Sequence, residues 1–299
     1  MDREIEYLTD FEFQVKSIVA GYINGLHRSP YHGFSLEFAE HRPYIEGDSL
    51  RFLDWKQFAR SGKRLTKRYE DDTNLRCHFI IDASASMYYP NNFSKLKTAA
   101  LTIGSIVELL RNQRDAFGLS ILKDSAQHLF SEKSTQTHQH TLFETLVQLL
   151  NVKPQAFSSP EPTLHYIAER LKKRAMVVLC TDGFFTESSF TAFEQSLLHL
   201  RHNQHEVIVF QILDTDTEID LKFDNQMYRF VDLEQGNEIK LNPIHIQQNY
   251  KQSIRDFLKR WQTLCQKYKI DYLQLPAGGS YHEALRFFIE QRNRAKKRL

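Results

Sequence analysis

The sequence predicts an α/β fold: a doubly wound, mostly parallel sheet with helices on both faces and an N-terminal appendage. Compact apolar runs typical of buried strands alternate with longer helical repeats, as βαβ units require. No internal repeat or low-complexity segment interrupts this series. We therefore expect a main domain over 71–292, an appendage over 1–70 and a basic tail over 293–299.

The appendage opens with a predicted helix over 7–23, whose apolar residues recur at helical spacing: Leu8, Phe11, Val15, Ile18, Val19 and Tyr22. The following stretch, 27–68, has mixed charge, several aromatic residues and only short apolar runs. Ordering a backbone costs about 1–2 kcal/mol per residue. Such short apolar runs cannot offset that cost, so we expect residues 30–70 to pack on the main domain rather than to fold alone.

Charged residues interleaved with aromatic ones in this segment predict a structural ion-pair network: Glu37, Arg42, Asp48, Arg51, Asp54 and Arg60. A catalytic role is the alternative. Charge networks perturb pKa values without doing chemistry, which favours the structural interpretation.

In the main domain, compact apolar runs predict strands at 75–81, 116–122, 127–130, 175–180, 206–213, 228–233, 238–241 and 271–275. Apolar residues that recur every three or four positions predict helices at 93–110, 141–150, 163–172, 187–201, 244–268 and from 280 onward.

Two loops carry oxygen donors where predicted strands end. Asp82-x-Ser84-x-Ser86 follows the first strand of the main domain, and Thr181-Asp182-Gly183 follows a later one. Ligands of open α/β sheets bind outside the carboxyl ends of strands. Alternate residues of an extended loop point the same way, so one carboxylate and two hydroxyls can meet at one point. These hard donors suit Mg²⁺, Mn²⁺ or Ca²⁺ rather than zinc.

This pair of loops resembles the metal-ion-dependent adhesion site of von Willebrand factor A-type domains. The resemblance implies a divalent cation, most readily Mg²⁺, held by Asp82, Ser84, Ser86, Thr163 and Asp182. Thr163 opens the helix that leads to the second loop, although Glu161-Pro162 replace the glycines usual in the family. Alternatives for the threonine are Thr135, Thr137 and Thr141. An open coordination position would take an acidic group from a partner protein.

The segment before the main domain resembles an uncharacterised bacterial family, domain-of-unknown-function family number fifty-eight, which combines this segment with an A-type domain. The matching residues are Gly33–Phe38, Arg42-x-Tyr44, Gly47-Asp48, Arg51, Asp54-Trp55 and Ala59-Arg60. The resemblance implies a MoxR-type AAA+ ATPase as partner, because members are often encoded near one.

These observations favour a non-enzymatic binding module that acts as an adaptor or co-chaperone. The alternative is a Mg²⁺-dependent phosphohydrolase, since a strand-end aspartate with a second aspartate also serves phosphoryl transfer. Ser84 stands where such an enzyme would have its second acid, and no positioned lysine is apparent. Serine hydrolysis is disfavoured, because Ser84 and Ser86 lie in no Gly-x-Ser-x-Gly elbow.

Composition favours a soluble cytoplasmic protein that does not bind nucleic acid. The 39 Lys+Arg against 37 Asp+Glu leave a net charge of +2, too small to indicate a polyanion partner. The basic residues Lys63, Arg64, Lys67 and Arg68 are interpreted as a solvated strand face. No apolar run is long enough to span a bilayer, and no signal-peptide pattern opens the chain. Three widely spaced cysteines are typical of reduced thiols.

Overall fold

A computed structural model describes residues 2–27, 40–43, 55–62, 65–68, 75–90, 94–122, 129–152, 161–172, 174–233, 236–279 and 281–296. The chain divides into two compact units, one formed by Met1–Ile23 with Leu75–Leu299 and the other by Asn24–Asn74.

The described strands are β1 (Glu40–Pro43), β2 (Leu65–Arg68), β3 (Arg76–Asp82), β4 (Ala116–Leu122), β5 (Leu129–Lys133), β6 (Met176–Thr181), β7 (Glu206–Leu213), β8 (Tyr228–Val231), β9 (Glu238–Leu241) and β10 (Asp271–Pro276). The described α-helices are α1 (Asp2–His27), α2 (Trp55–Ser61), α3 (Lys95–Asn112), α4 (Gln136–Asn151), α5 (Glu161–Arg170), α6 (Glu187–His202), α7 (Pro243–Lys267) and α8 (Tyr281–Lys296). A 3₁₀ turn occupies Ala85–Tyr88, and a π-helical turn occupies Thr215–Ile219.

The smaller unit contains an antiparallel pair, β1 with β2, and the short helix α2. Most of the predicted ion-pair network lies outside the described residues: Glu37, Asp48, Arg51 and Asp54. Arg42 lies in β1 without a described side chain, and Arg60 is exposed in α2. The network therefore stays a prediction.

The larger unit confirms the doubly wound α/β prediction. Its six-stranded sheet has the order β10-β7-β6-β3-β4-β5, and every neighbouring pair is parallel except β4 with β5. The connection 123–128 is too short for a parallel crossover, which explains the antiparallel β5. The chain leaves β3 for β4 on one side and returns to β6 on the other. The strand order thus reverses between β3 and β6.

Apolar side chains cover both faces of the central strands. One face packs under α5, α6 and α7, where Phe193, Leu197 and Trp261 are buried against Val177 and Val209. Helix α3 packs against α4 and α8. It also lies so close to α1 that a Cβ at Gly104 would be 2.8 Å from the Val15 side chain. Phe11, Val15, Val19 and Tyr22 are buried, which confirms the predicted N-terminal helix and shows its apolar face in contact with protein.

Two further features bear on the setting of the chain. None of the described helices is both long and apolar enough to cross a membrane. Cys77, Cys180 and Cys265 are free thiols, and all three are buried. Burial raises the pKa of Cys265 to about 12, so this thiol is protonated and unreactive near neutral pH.

A buried ion pair ties α8 to the start of the sheet. Asp115, at the turn from α3 into β4, accepts from the Arg292 guanidinium through Oδ2 and from the Leu75 amide through Oδ1 at 3.0 Å. Both charged side chains are less than a tenth exposed. The basic end of the chain therefore includes one arginine with a structural role.

We predict that Arg292→Ala lowers the free energy of unfolding by about 3 kcal/mol, because it removes one partner of a buried pair. Arg294→Ala, two residues along the same helix and exposed, should change stability by no more than about 0.5 kcal/mol. Urea unfolding of both variants measures the difference. Equal losses would contradict a structural role for the Arg292 pair.

Candidate functional site

The two predicted loops lie next to each other at the point where the strand order reverses. Residues Cys77–Ile81 of β3 pair in parallel with Met176–Cys180 of β6, so Asp82 and Thr181 end neighbouring strands. Ligands of open α/β folds bind in the crevice at this position.

Asp82 is fully buried and hydrogen-bonded within the two loops. Its Oδ2 accepts from the Thr181 hydroxyl at 2.6 Å, and its Oδ1 accepts from the Ser84 amide at 2.9 Å. Burial, followed by the nearby Asp182 carboxylate, raises the pKa of Asp82 to about 6, although the hydrogen bonds oppose this shift. The carboxylate therefore ionises only in the upper part of the acidic range.

Ser84 and Ser86 present their hydroxyls together. Ser84 has extended backbone angles, φ −58° and ψ 157°, and precedes the 3₁₀ turn. The two Oγ atoms lie 3.1 Å apart, because the chain turns from the extended Ser84 into the 3₁₀ turn that contains Ser86. Ser84 is 6% exposed, whereas Ser86 is half-buried. Ser86 is therefore the more exposed of the two serines.

Gly183 allows the second loop to turn beneath α7. Its φ of +73° lies in the left-handed region, and a Cβ there would lie 2.4 Å from the Trp261 ring. The loop is held further by Gln211, whose Nε2 donates to the Asp182 carbonyl at 2.9 Å. The Phe184 amide donates to Asp182 Oδ1 at 3.2 Å. Asp182 is thus fixed by its backbone as well as by its side chain.

Lys95, which the sequence analysis missed, is fully buried beside Asp182. Its Nζ donates to Asp182 Oδ2 at 2.8 Å and to Glu218 Oε1 at 2.5 Å. Burial alone would lower the pKa of Lys95, but the two carboxylates outweigh it and the pKa is raised. The expectation that no positioned lysine exists was therefore wrong. A lysine at the start of a helix gives no sequence signal that separates it from a solvated one.

Glu218 comes from the π-helical turn after β7 and was also missed. Its second carboxylate oxygen accepts from the Asp214 amide at 2.8 Å, and its carbonyl accepts from the Tyr250 hydroxyl at 2.6 Å. Burial raises the pKa of Glu218, and Lys95 opposes the shift. The side chain is 15% exposed, so it is the least buried member of the Asp182–Lys95–Glu218 chain.

For the predicted threonine ligand, Thr163, the structure shows its element and its burial. Thr163 is buried near the start of α5, which agrees with its expected element. Its membership of the ligand set stays a prediction. Of the alternatives, Thr135 caps α4 by accepting from the His138 amide, and Thr141 donates to the Thr137 carbonyl. Thr135 and Thr137 are exposed, which makes them poor partners for the buried Asp82.

The donor set fits a hard divalent cation in chemistry and in charge. Asp82, Asp182 and Glu218 contribute three carboxylates against the single ammonium of Lys95, which leaves two negative charges when all are ionised. Within the described ranges, no group of three or more His, Cys, Asp or Glu is arranged to hold a metal ion. The predicted ligand set therefore consists of two carboxylates, those of Asp82 and Asp182, together with hydroxyls, as the sequence pattern implies.

A second polar cluster lies inside the sheet. His78 contacts Glu132 Oε1 through Nδ1 at 2.9 Å and Ser120 Oγ through Nε2 at 2.7 Å. The order serine, histidine, carboxylate is that of a hydrolase triad. However, His78 and Ser120 are essentially inaccessible and lie within strands rather than at their ends. We interpret this cluster as a satisfied polar network of the core.

A doubly wound sheet with these two loops at its switch point is a von Willebrand factor A-like fold. Comparison of the sequence with family models gives a match over residues 40–259 to the family described as "Protein of unknown function DUF58". The chain belongs to that family.

The chain is also similar to individual proteins of known sequence or structure. The chain is 24% identical over 212 residues to uncharacterized proteins of Mycobacterium tuberculosis and Mycobacterium bovis, covering 69% of itself and 64% of each relative. It spans less than two thirds of their length. Similar structures include BatB of Bacteroides thetaiotaomicron (14% identity, TM-score 0.45, 73% of this chain and 99% of that one). Another is the SpRpn10 VWA domain (9%, 0.38, 71% and 94%).

We predict that Asp82 makes stability fall as pH rises. Its pKa is about 6 in the folded chain against an ordinary 3.8, so the folded state binds this proton more tightly than the unfolded state. The contribution is present below about pH 4 and is lost by about pH 6, worth about 3 kcal/mol at 1.4 kcal/mol per pKa unit.

Asp82→Asn cannot ionise at this position. Relative to the parent chain in EDTA, its free energy of unfolding should therefore rise across that pH window and level off above it. Urea unfolding at a series of pH values measures the trend. Asp216→Asn, which alters an exposed carboxylate, should show no such trend. A difference for Asp82→Asn that is flat with pH would refute the prediction.

Proposed function

We propose that this protein is a binding module that recruits an acidic group of a partner protein through a divalent cation. The observation that carries the proposal is a buried cluster that holds three carboxylates and the single ammonium of Lys95, beside two paired serine hydroxyls. When all three carboxylates are ionised, the cluster carries two uncompensated negative charges, and a divalent cation would neutralise them.

Asp82, Ser84, Ser86 and Asp182 would hold the ion, with Thr163 as a further predicted ligand. Mg²⁺ is our first choice, and Mn²⁺ or Ca²⁺ would suit the same donors. When bound, the ion supplies a Lewis-acidic position for an incoming carboxylate. The protein's own part is to fix the donors: Thr181 orients Asp82, and Gln211 holds the backbone of Asp182.

We further propose that the partner is a MoxR-type AAA+ ATPase and that the module acts beside it in the cytoplasm as adaptor or co-chaperone. Support comes from the resemblance described above, because members of that family are often encoded near such an ATPase. The low net charge and the buried free thiols are consistent with this setting.

A Mg²⁺-dependent phosphohydrolase is the second candidate, and Lys95 is the observation that favours it. A lysine beside a strand-end aspartate could stabilise a transferring phosphoryl group. However, both described partners of its ammonium are carboxylates of the same chain, and its side chain is fully buried. Ser84 also stands where such an enzyme would have its second acid, so we prefer the binding module.

We predict that Asp82→Ala stays folded but binds Mg²⁺ at least about tenfold more weakly, since loss of even an outer-shell group costs that much. Folding should survive because β3 is buried on both faces by apolar residues. Calorimetric titration of metal-stripped protein with MgCl₂ measures the affinity, and circular dichroism checks the fold. Asp216→Ala, an exposed carboxylate on the nearby turn, is the matched control and should bind like the parent chain.

The same preparations separate the two candidate functions. For the binding module, the MoxR-type ATPase of the same organism should be captured in Mg²⁺, but neither in EDTA nor by Asp82→Ala. For the phosphohydrolase, the isolated parent chain should hydrolyse p-nitrophenyl phosphate with Mg²⁺, and Asp82→Ala should not. Capture that persists in EDTA and in Asp82→Ala would exclude the proposed cation-dependent recruitment.

A further inference from the structure

The carboxylates proposed to hold the cation are closed off from solvent. Asp82 is 0% exposed and Asp182 is 1% exposed. A chain of charges leads outward from Asp182 through the Lys95 ammonium to Glu218, the member that reaches the surface. The Phe184 ring, whose centroid lies 5.3 Å from Lys95 Nζ, adds to this cover. A partner's acidic group cannot approach Asp182 while this cover is in place.

The arrangement of Lys95 and Glu218 beside Asp182 resembles the proposed binding arrangement, with both groups supplied by this chain. In the proposed function, a cation lies between Asp182 and an acid from the partner. Here the ammonium of Lys95 lies between Asp182, at 2.8 Å, and the Glu218 carboxylate, at 2.5 Å. The lysine stands where a cation would neutralise Asp182, and Glu218 stands where an acid would bind that cation.

The turn that carries Glu218 is anchored to three parts of the domain. Thr217 accepts from the Tyr89 hydroxyl, just beyond the Asp-x-Ser-x-Ser loop, at 2.6 Å. The Glu218 carbonyl accepts from Tyr250 of α7, and its carboxylate joins Lys95 of α3. The Glu218 carboxylate also accepts a hydrogen bond from the Asp214 amide at 2.8 Å, and this bond protects the amide from hydrogen exchange. The Lys95 contact is the only one of these that also engages a proposed metal ligand.

We propose that Lys95 is a resident cation of the site that holds Glu218 as an internal substitute for the partner's acid, and that a divalent ion must displace Lys95 from Asp182 to open it. The inference rests on the proposed function, since it concerns the same site. Like charges a few ångströms apart in a poorly solvated cluster repel strongly, so lysine and divalent ion compete for Asp182. Buried ion pairs contribute little net stability, and a switch is one reason to retain them.

The test removes the competing charge. Lys95→Met keeps an apolar stem as long as that of lysine without its terminal nitrogen, so the carboxylates lose the ammonium. Titration of metal-stripped Lys95→Met with MnCl₂ should give an affinity about tenfold or more tighter than that of the parent chain. Lys222→Met is the control, because Lys222 is exposed and pairs with Asp216 and Asp220 close to the same turn. The Mn²⁺ affinity of Lys222→Met should stay within about twofold of that of the parent chain, as expected for a screened surface charge.

A second measurement needs no variant and covers the case in which Lys95→Met does not fold. Hydrogen exchange of the parent chain, followed by mass spectrometry over residues 214–220, should become faster when MnCl₂ saturates the site. Release of Lys95 loosens Glu218 and with it the Asp214 amide. Exchange that stays unchanged at saturation would overturn the inference.

The outcomes distinguish this inference from the proposed function. Tighter Mn²⁺ binding by Lys95→Met, or binding by that variant alone, supports the displacement of Lys95. Equal or weaker binding by Lys95→Met, with clear binding by the parent chain, overturns the displacement and leaves the cation-dependent module intact. If neither protein binds Mn²⁺ at millimolar concentration, the proposed function fails, and the inference fails with it.

Discussion

The site depends on the parallel pairing of β3 with β6. These strands are distant in sequence, yet their alignment places Asp82 and Thr181 at the same edge of the sheet. Because the strand order reverses between them, their crossover connections diverge at that edge, which is the position where open α/β folds bind ligands. The register is fixed by apolar side chains that are buried on both faces. The same packing that stabilises the domain therefore sets the distances within the site.

Charges held inside this framework set a second constraint. Asp82, Asp182 and Lys95 are almost completely removed from water, and apolar residues of similar size would usually fit such positions at lower cost. The high pKa of Asp82 reflects that cost. Every carboxylate in the cluster has a donor: Thr181 for Asp82, Lys95 for Asp182, and Lys95 with the Asp214 amide for Glu218. The arrangement is thus satisfied locally while it remains negative as a whole.

Features that depend on neighbouring residues in the sequence could be predicted from the sequence. The order of strands and helices follows from periodicity. The proximity of the Ser84 and Ser86 hydroxyls was expected from an extended loop, but in the structure the 3₁₀ turn that contains Ser86 brings them together. The antiparallel direction of β5 was not predicted, although the short connection before it contained the necessary information. These features need no knowledge of distant contacts.

The charged partners could not be predicted in this way. Lys95 follows the helix cap Ser94, where a solvated lysine is equally common. Glu218 lies among Asp214, Asp216 and Asp220, and nothing local marks it as the one that turns inward. In the structure, Asp216 and Asp220 pair with Lys222, whereas Glu218 pairs with a lysine that is remote in sequence. Such a choice is made by tertiary packing.

The close approach of Trp261 to Gly183 has an optical consequence. The indole is fully buried, and among the described residues its N–H has no hydrogen-bond partner, so its emission depends on the neighbouring loop and rings. The chain has only two tryptophans, and the other is Trp55. Replacement of Trp55 by phenylalanine would leave Trp261 as the sole indole fluorophore, lying directly beneath the Thr-Asp-Gly loop. The protein thus carries an intrinsic fluorescent reporter of that loop and needs no attached dye.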